Sequence, residues 1–184
     1  IAGADGIYIH LNALQERLQA DGDWDWRGVL AGIERVASTI GKPVLVKEVG
    51  WGIDLPTLQL LEGAGVAAVD LAGAGGTSWS QVEMYRQETE AGRRLAAGFK
   101  NWGMTTTECL QEIFQNGKPG IPVIASGGLR NGLDLAKTLV LGASLGGFAR
   151  AILAAANEGT ESLAAELGLI KETLKTAMFA CGAA

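Results

Sequence analysis

Two glycine-rich segments late in the chain carry the residue types that a phosphate site requires. Ser126-Gly127-Gly128-Leu129-Arg130 closes one apolar run and Ala149-Arg150 closes the next. In a parallel barrel, the loops after the last two strands aim backbone N–H groups at a phosphate, aided by a helix N-terminus. The same glycines would also serve tight turns with no ligand, so both readings stand on these residues alone. Lys47 ends the apolar run Val44-Leu45-Val46. An ammonium at such a strand end needs an anionic partner or a lowered pKa. That partner is either a ligand or an acid of the chain, Glu48 or Asp70. The segment His10-Leu11-Asn12-Ala13-Leu14-Gln15-Glu16 gathers an imidazole, two amides and a carboxylate. These groups suit a charged, hydrogen-bonding ligand or the oxygen shell of Mg²⁺, and equally a locally satisfied, solvated helix face. Gly73-Ala74-Gly75-Gly76-Thr77-Ser78-Trp79 is too rich in glycine for regular structure, and reads as a mobile loop over a ligand or as a plain linker. Trp51, Trp79, Tyr85, Phe99 and Trp102 fit either a core or a shield around an apolar substrate.

The elements that must position these residues follow from periodicity. Five apolar runs, Gly6 to His10, Pro43 to Val49, Val66 to Ala72, Ile121 to Ser126 and Leu145 to Ala149, show little polar alternation. Such runs are strands covered on both faces. Helical spacing of apolar residues lies between them, with Asp23 or Asp25 as N-cap of a helix ending at Ile40, and Asp54 capping the next. Thr105 to Glu108 forms a capping box, and Asn131 and Thr160 start two later helices. Strands alternating with helices call for a parallel sheet with right-handed crossovers. A dinucleotide-binding doubly wound sheet needs a Gly-x-Gly-x-x-Gly turn opening a helix, which Gly73-Ala74-Gly75-Gly76 does not supply. Polar residues at the strand ends, His10, Lys47, Asp70, Ser126 and Arg150, would ring one mouth of a (β/α)8 barrel. A whole barrel takes eight strands and ~250 residues. Residues 1–184 therefore read as one incomplete barrel domain, α/β in class, holding about five of the eight strands of a TIM-type barrel. Its open edges predict an unstable or associating fragment.

Composition sets the outer limits. The chain has 184 residues, 48% of them hydrophobic, with a formal net charge of −5 and 27 glycines that follow no Gly-x-y period. This excludes a disordered tail and a collagenous chain. An acidic pI near 4.9 with scattered Lys and Arg excludes a nucleic-acid partner. No apolar stretch approaches the ~20 residues of a membrane span. Cys109 and Cys181 are the two cysteines and suggest neither a disulfide framework nor a zinc site, so a reducing cytoplasm is expected. The opening Ile1-Ala2-Gly3-Ala4-Asp5, without Met and within an expected turn, reads as the interior of a longer protein.

Taken together, HLNALQE with DWDWRGVL after it, VLVKEVGWGI, AAVDLAGAGGTSW, and IASGGLRNGLDLAKTLVLGA followed by GGFARAIL resemble the FMN-dependent type 2 isopentenyl-diphosphate isomerases. The likeness runs from residue 5 to about residue 153, and the first three motifs are highly specific. The resemblance implies a (β/α)8 barrel that interconverts isopentenyl and dimethylallyl diphosphate using Mg²⁺ and reduced FMN, with NADPH as reductant. It implies FMN at Lys47, Thr77, Gly127, Gly128, Ala149 and Arg150, and Mg²⁺ on Glu16. Gln15 would stand beside the reacting carbons, with His10 and Asn12 near the substrate diphosphate, and Gln15 and Lys47 would be catalytic. A homo-oligomer is also expected. The family's first three strands, with their basic residues and flavin contacts, have no counterpart here. Two other readings compete. An FMN-dependent 2-hydroxy-acid oxidase or dehydrogenase has similar late loops but needs a His-and-Arg pair, whereas His10 is the single histidine and has Asn12, not an arginine, two positions on. The other is an inactive phosphate-binding fragment.

Overall fold

The computed structural model describes residues 3–183. Ile1 and Ala2, where the expected opening turn begins, lie outside them. Strands β1 (Ile7–Leu11), β2 (Val44–Glu48), β3 (Ala68–Asp70), β4 (Val123–Ala125) and β5 (Leu145–Gly146) form one parallel sheet in the order β1-β2-β3-β4-β5. Each strand pairs with the next in sequence. A doubly wound sheet reverses its order at a switch point, whereas a barrel adds strands in one direction, so the observed order is that of a partial barrel.

Nine helices are found among the described residues: α1 (Ala13–Leu18), α2 (Val29–Thr39), α3 (Leu55–Gly63), α4 (Trp79–Arg86), α5 (Glu90–Gly98), α6 (Thr106–Asn116), α7 (Gly132–Val140), α8 (Arg150–Glu158) and α9 (Thr160–Ala180). Three caps act as expected. Asp54 accepts from the Thr57 N–H, Thr105 and Glu108 complete a reciprocal capping box, and Asn131 accepts from Leu133 and Asp134.

Three expectations change. Helix α2 does not start from Asp23 or Asp25; its N-cap is Gly28, at φ 77°. The acids instead fold the preceding turn: Asp25 binds the Arg27 guanidinium at 2.7 Å, and the Asp23 carbonyl accepts the Trp26 indole N–H. The last apolar run pairs only over Leu145 and Gly146, because consecutive glycines weaken a strand. Arg150 therefore opens α8 rather than ending a strand. Helices α4, α5 and α8 fill segments left unassigned, and α1 is the helix face offered as one reading of the HLNALQE segment.

Alternation along the strands separates core from mouth. Val46, Val69, Leu71, Val123 and Ala125 pack with Ile33 of α2, Leu58 and Leu61 of α3, and Leu110 and Ile113 of α6. Burying each large apolar side chain contributes ~1.5–3 kcal/mol. Lys47 and Asp70 fall between these positions, so they face the side away from the helices. Register sets Lys47 beside His10 on β1 and beside Asp70 on β3.

Candidate active site

A cavity of about 560 Å³ opens at the C-terminal ends of β2 to β5. Lys47 and Asp70 lie at its floor, Gly73 to Thr77 and Ser126 to Arg130 form its glycine walls, and Gly147 to Ala151 close the far side. The two glycine segments touch backbone to backbone. Gly127 and Gly128 have φ 94° and 87°, and a Cβ on either would run into the backbone of Gly73 or Gly75. Only glycine combines that conformation with so close an approach. The Gly73 N–H donates to the Ser126 carbonyl at 3.1 Å, and the Thr106 hydroxyl lies 2.7 Å from the carbonyl oxygens of Ser126 and Gly127. Ala72 lies at φ 40°, a position that favours glycine, at the start of the wall.

Cations surround this cradle. Arg150 stands at the first turn of α8, where the Ala149 N-cap offers no side-chain acceptor to the first N–H groups. Those N–H groups and the helix dipole favour an anion. Arg130, which received no role from the sequence, also lines the cavity and pairs with Asp134 at 2.9 Å. Thr77 and Ala149 are exposed at the rim.

The floor is charged in both senses. Lys47 Nζ donates to the Glu48 main-chain carbonyl at 2.7 Å, and among the described residues it forms no ion pair within 4 Å. The expected alternative of an ion pair with Glu48 or Asp70 is thus not what the structure holds. Glu48 Oε2 accepts N–H groups of Val49, Gly50 and Trp51, at 2.6, 2.6 and 2.5 Å. Burial nevertheless raises its pKa, opposed by those donors and by Lys47. Asp70 is buried and accepts the Ser126 hydroxyl at 2.6 Å. Burial raises its pKa too, against the pull of Ser126, Lys47 and the Ala72 N–H.

The HLNALQE residues form a second cluster beside the floor and do not line the glycine-walled cavity. His10 is exposed on β1. Asn12 Nδ2 donates to Glu16 Oε1 at 2.7 Å, and the Asp23 N–H donates to Glu16 Oε2 at 2.9 Å. Gln15 Nε2 donates at 3.2 Å to Glu83 Oε1, which also receives Gln19 and Arg86. Sequence reasoning missed Glu83, a residue of α4 only 2% exposed. Its partner Gln15 is 68 positions away, and local spacing gives no sign of the pairing. Among the described residues no three His, Cys, Asp or Glu side chains gather as a metal site. Glu16 therefore offers a single carboxylate to a cation.

Parallel order, a charged mouth at the strand C-termini and a glycine cradle define part of a (β/α) barrel with a site suited to an anionic ligand. Residues 11–184 match the family described as FMN-dependent dehydrogenase, and the chain belongs to that family. Curated relatives named isopentenyl-diphosphate delta-isomerase include that of Cronobacter sakazakii, 48% identical over 98% of this chain and 52% of its own length. That of Pseudescherichia vulneris is 47% identical over 97% and 51%, and that of a Synechococcus species 50% identical over 88% and 46%. The chain spans about half the length of these relatives. Among solved structures, an oxidized active mutant of (S)-mandelate dehydrogenase superposes with TM-score 0.65 at 21% identity, covering 90% of this chain and 38% of that one. A soluble mutant of the membrane-associated (S)-mandelate dehydrogenase from Pseudomonas putida gives 0.62 at 22%, over 90% and 39%. At such identities the likeness is one of fold.

Proposed function

We propose that this chain is the flavin- and substrate-gripping part of an isopentenyl-diphosphate isomerase, acting on isopentenyl and dimethylallyl diphosphate. The observation that carries the reading is the Gly127-Gly128 cradle, closed to any Cβ and flanked by Arg130, Arg150 and the α8 N-terminus. These groups fit the phosphate of FMN, and a cavity of about 560 Å³ is of ligand size. Lys47 at the floor and Thr77 at the rim would hold the ring. Glu16 fits Mg²⁺ as one carboxylate of a largely hydrated ion, the usual mode for that cation. Reduced FMN, with NADPH as its reductant, supplies an electron-rich ring for an allylic proton shift without net redox change.

The chain's own residues do the rest. Lys47 offsets negative charge at the floor. Glu83 fixes the Gln15 amide, which orients the alkene. His10 and Asn12 would face the substrate diphosphate, and Glu16 would hold a cation that neutralises its charge. No helix of the described residues is long and apolar enough to cross a membrane. A cytoplasmic homo-oligomer without nucleic-acid partners completes the proposal. Oxidation of a 2-hydroxy acid is disfavoured, because the chain's single histidine is exposed on the edge strand.

An anaerobic assay with FMN, a reductant and Mg²⁺ tests the reading, on the chain alone and joined behind the N-terminal half of the Cronobacter relative. The joined protein is expected to isomerise isopentenyl diphosphate without consuming oxidant, and the chain alone to be inert. Oxidant-dependent turnover of a hydroxy acid, or silence from a folded joined protein, rejects it. Unimpaired turnover by Gln15→Asn would remove Gln15 from its role.

A further inference from the structure

Lys47, Asp70 and Ser126 close the ends of three adjacent strands, and all three line the cavity. Asp70 stands opposite Lys47 in register, yet no carboxylate lies within ion-pair distance of that ammonium among the described residues. The Asp70 carboxylate is turned to the Ser126 hydroxyl, 2.6 Å away, while Lys47 Nζ rests on the Glu48 carbonyl. The floor thus holds a cation and a buried anion that are neighbours without being bridged.

We infer that Asp70 is a positioning residue, a fixed counter-charge beside Lys47 that limits how strongly the floor prefers reduced over oxidised flavin, with Ser126 holding its carboxylate in place. The inference rests on the flavin reading above. Its physical basis is that a buried negative charge opposes a nearby anion far more than a neutral ring. Reduction by two electrons and one proton leaves the flavin ring anionic, whereas the oxidised ring is neutral. Asp70 therefore weakens the reduced form selectively.

The test compares affinities for oxidised and dithionite-reduced FMN, by anaerobic absorbance and fluorescence titration of the full chain and of the joined protein. Asp70→Asn keeps the shape and an acceptor for Ser126 but removes the charge. The reduced-to-oxidised affinity ratio is expected to rise about tenfold, an upward shift of about 30 mV for the two-electron couple. Asp70→Ser, smaller and also neutral, provides the same reading if the asparagine variant does not fold. An unchanged ratio, or equal loss of both forms in both variants, makes Asp70 a structural residue and overturns the inference while the flavin reading stands. If the parent takes up no FMN in either form, even when joined, the flavin reading falls and the inference with it.

Discussion

At Gly127 and Gly128 the left-handed backbone and the closeness of the opposing glycine wall act together, so a methyl group there is penalised twice. The conformation alone costs ~1–2 kcal/mol for a residue with a Cβ. Gly127→Ala is expected to lower the urea midpoint and to weaken FMN at least tenfold in a fluorescence titration; unchanged flavin affinity would remove the cradle from the site. Asp70 gives a pH signature whose sign follows from burial. Its folded pKa is raised, so between the unfolded and folded values the folded chain retains a proton that the unfolded chain has lost. Stability then falls as pH rises through that window. Asp70→Asn should therefore be more stable than the parent near neutral pH, with the gap closing as pH falls below the free aspartate value of about 3.9; denaturant melts at about pH 3 and about pH 7 check it. The thiols divide in the same way. Burial pushes Cys109 up to about 11, whereas Cys181 is exposed. A disulfide reagent near pH 8 should modify one thiol rapidly in the native chain and a second only on unfolding, because the thiolate is the reactive form.

The helices show which local signals decide structure and which do not. Thr105 with Glu108 specified α6 outright, since each satisfies an N–H of the other's end of the turn. Thr105→Ala should cost ~1 kcal/mol in a denaturant melt. Asp23 and Asp25 looked equally suited to cap α2, but their acceptors serve the DWDW turn and Gly28 starts the helix. Asp25→Ala is accordingly expected to change stability by less than ~0.5 kcal/mol, the range of exposed surface substitutions; a larger loss would restore it as a cap. The central strands were legible because they are buried in the sheet and leave uninterrupted apolar runs. Helices α4 and α5 were not, because exposed Tyr85, Arg86, Glu90, Arg93 and Arg94, together with the buried Glu83, dilute their apolar stripe. The site divides along the same line. The glycine cradle and Lys47 could be read because each sits beside its own strand. Glu83 could not, since only the packing of α4 against α1 brings it to Gln15.

The sheet as a whole ends in two unpaired edges. Among the described residues, strand β1 bonds only to β2 and β5 only to β4, and the edges carry Ile7, Tyr8 and Leu145, 41, 44 and 59% exposed. Edge N–H and C=O groups beside apolar side chains are a template for pairing with another chain. A barrel abolishes such edges by closure, and five strands do not reach the eight that closure requires. The chain alone is expected to associate with rising concentration in light scattering coupled to size exclusion. Tyr8→Lys combined with Leu145→Lys should weaken that association by placing charge on both edges. Joining the N-terminal half of the Cronobacter relative should suppress it and, in the same sample, tighten FMN. A chain that stays monomeric at every concentration would show that its edges are already protected. Loss of association without tighter FMN would show that the joined half closes the sheet but adds nothing to the cavity.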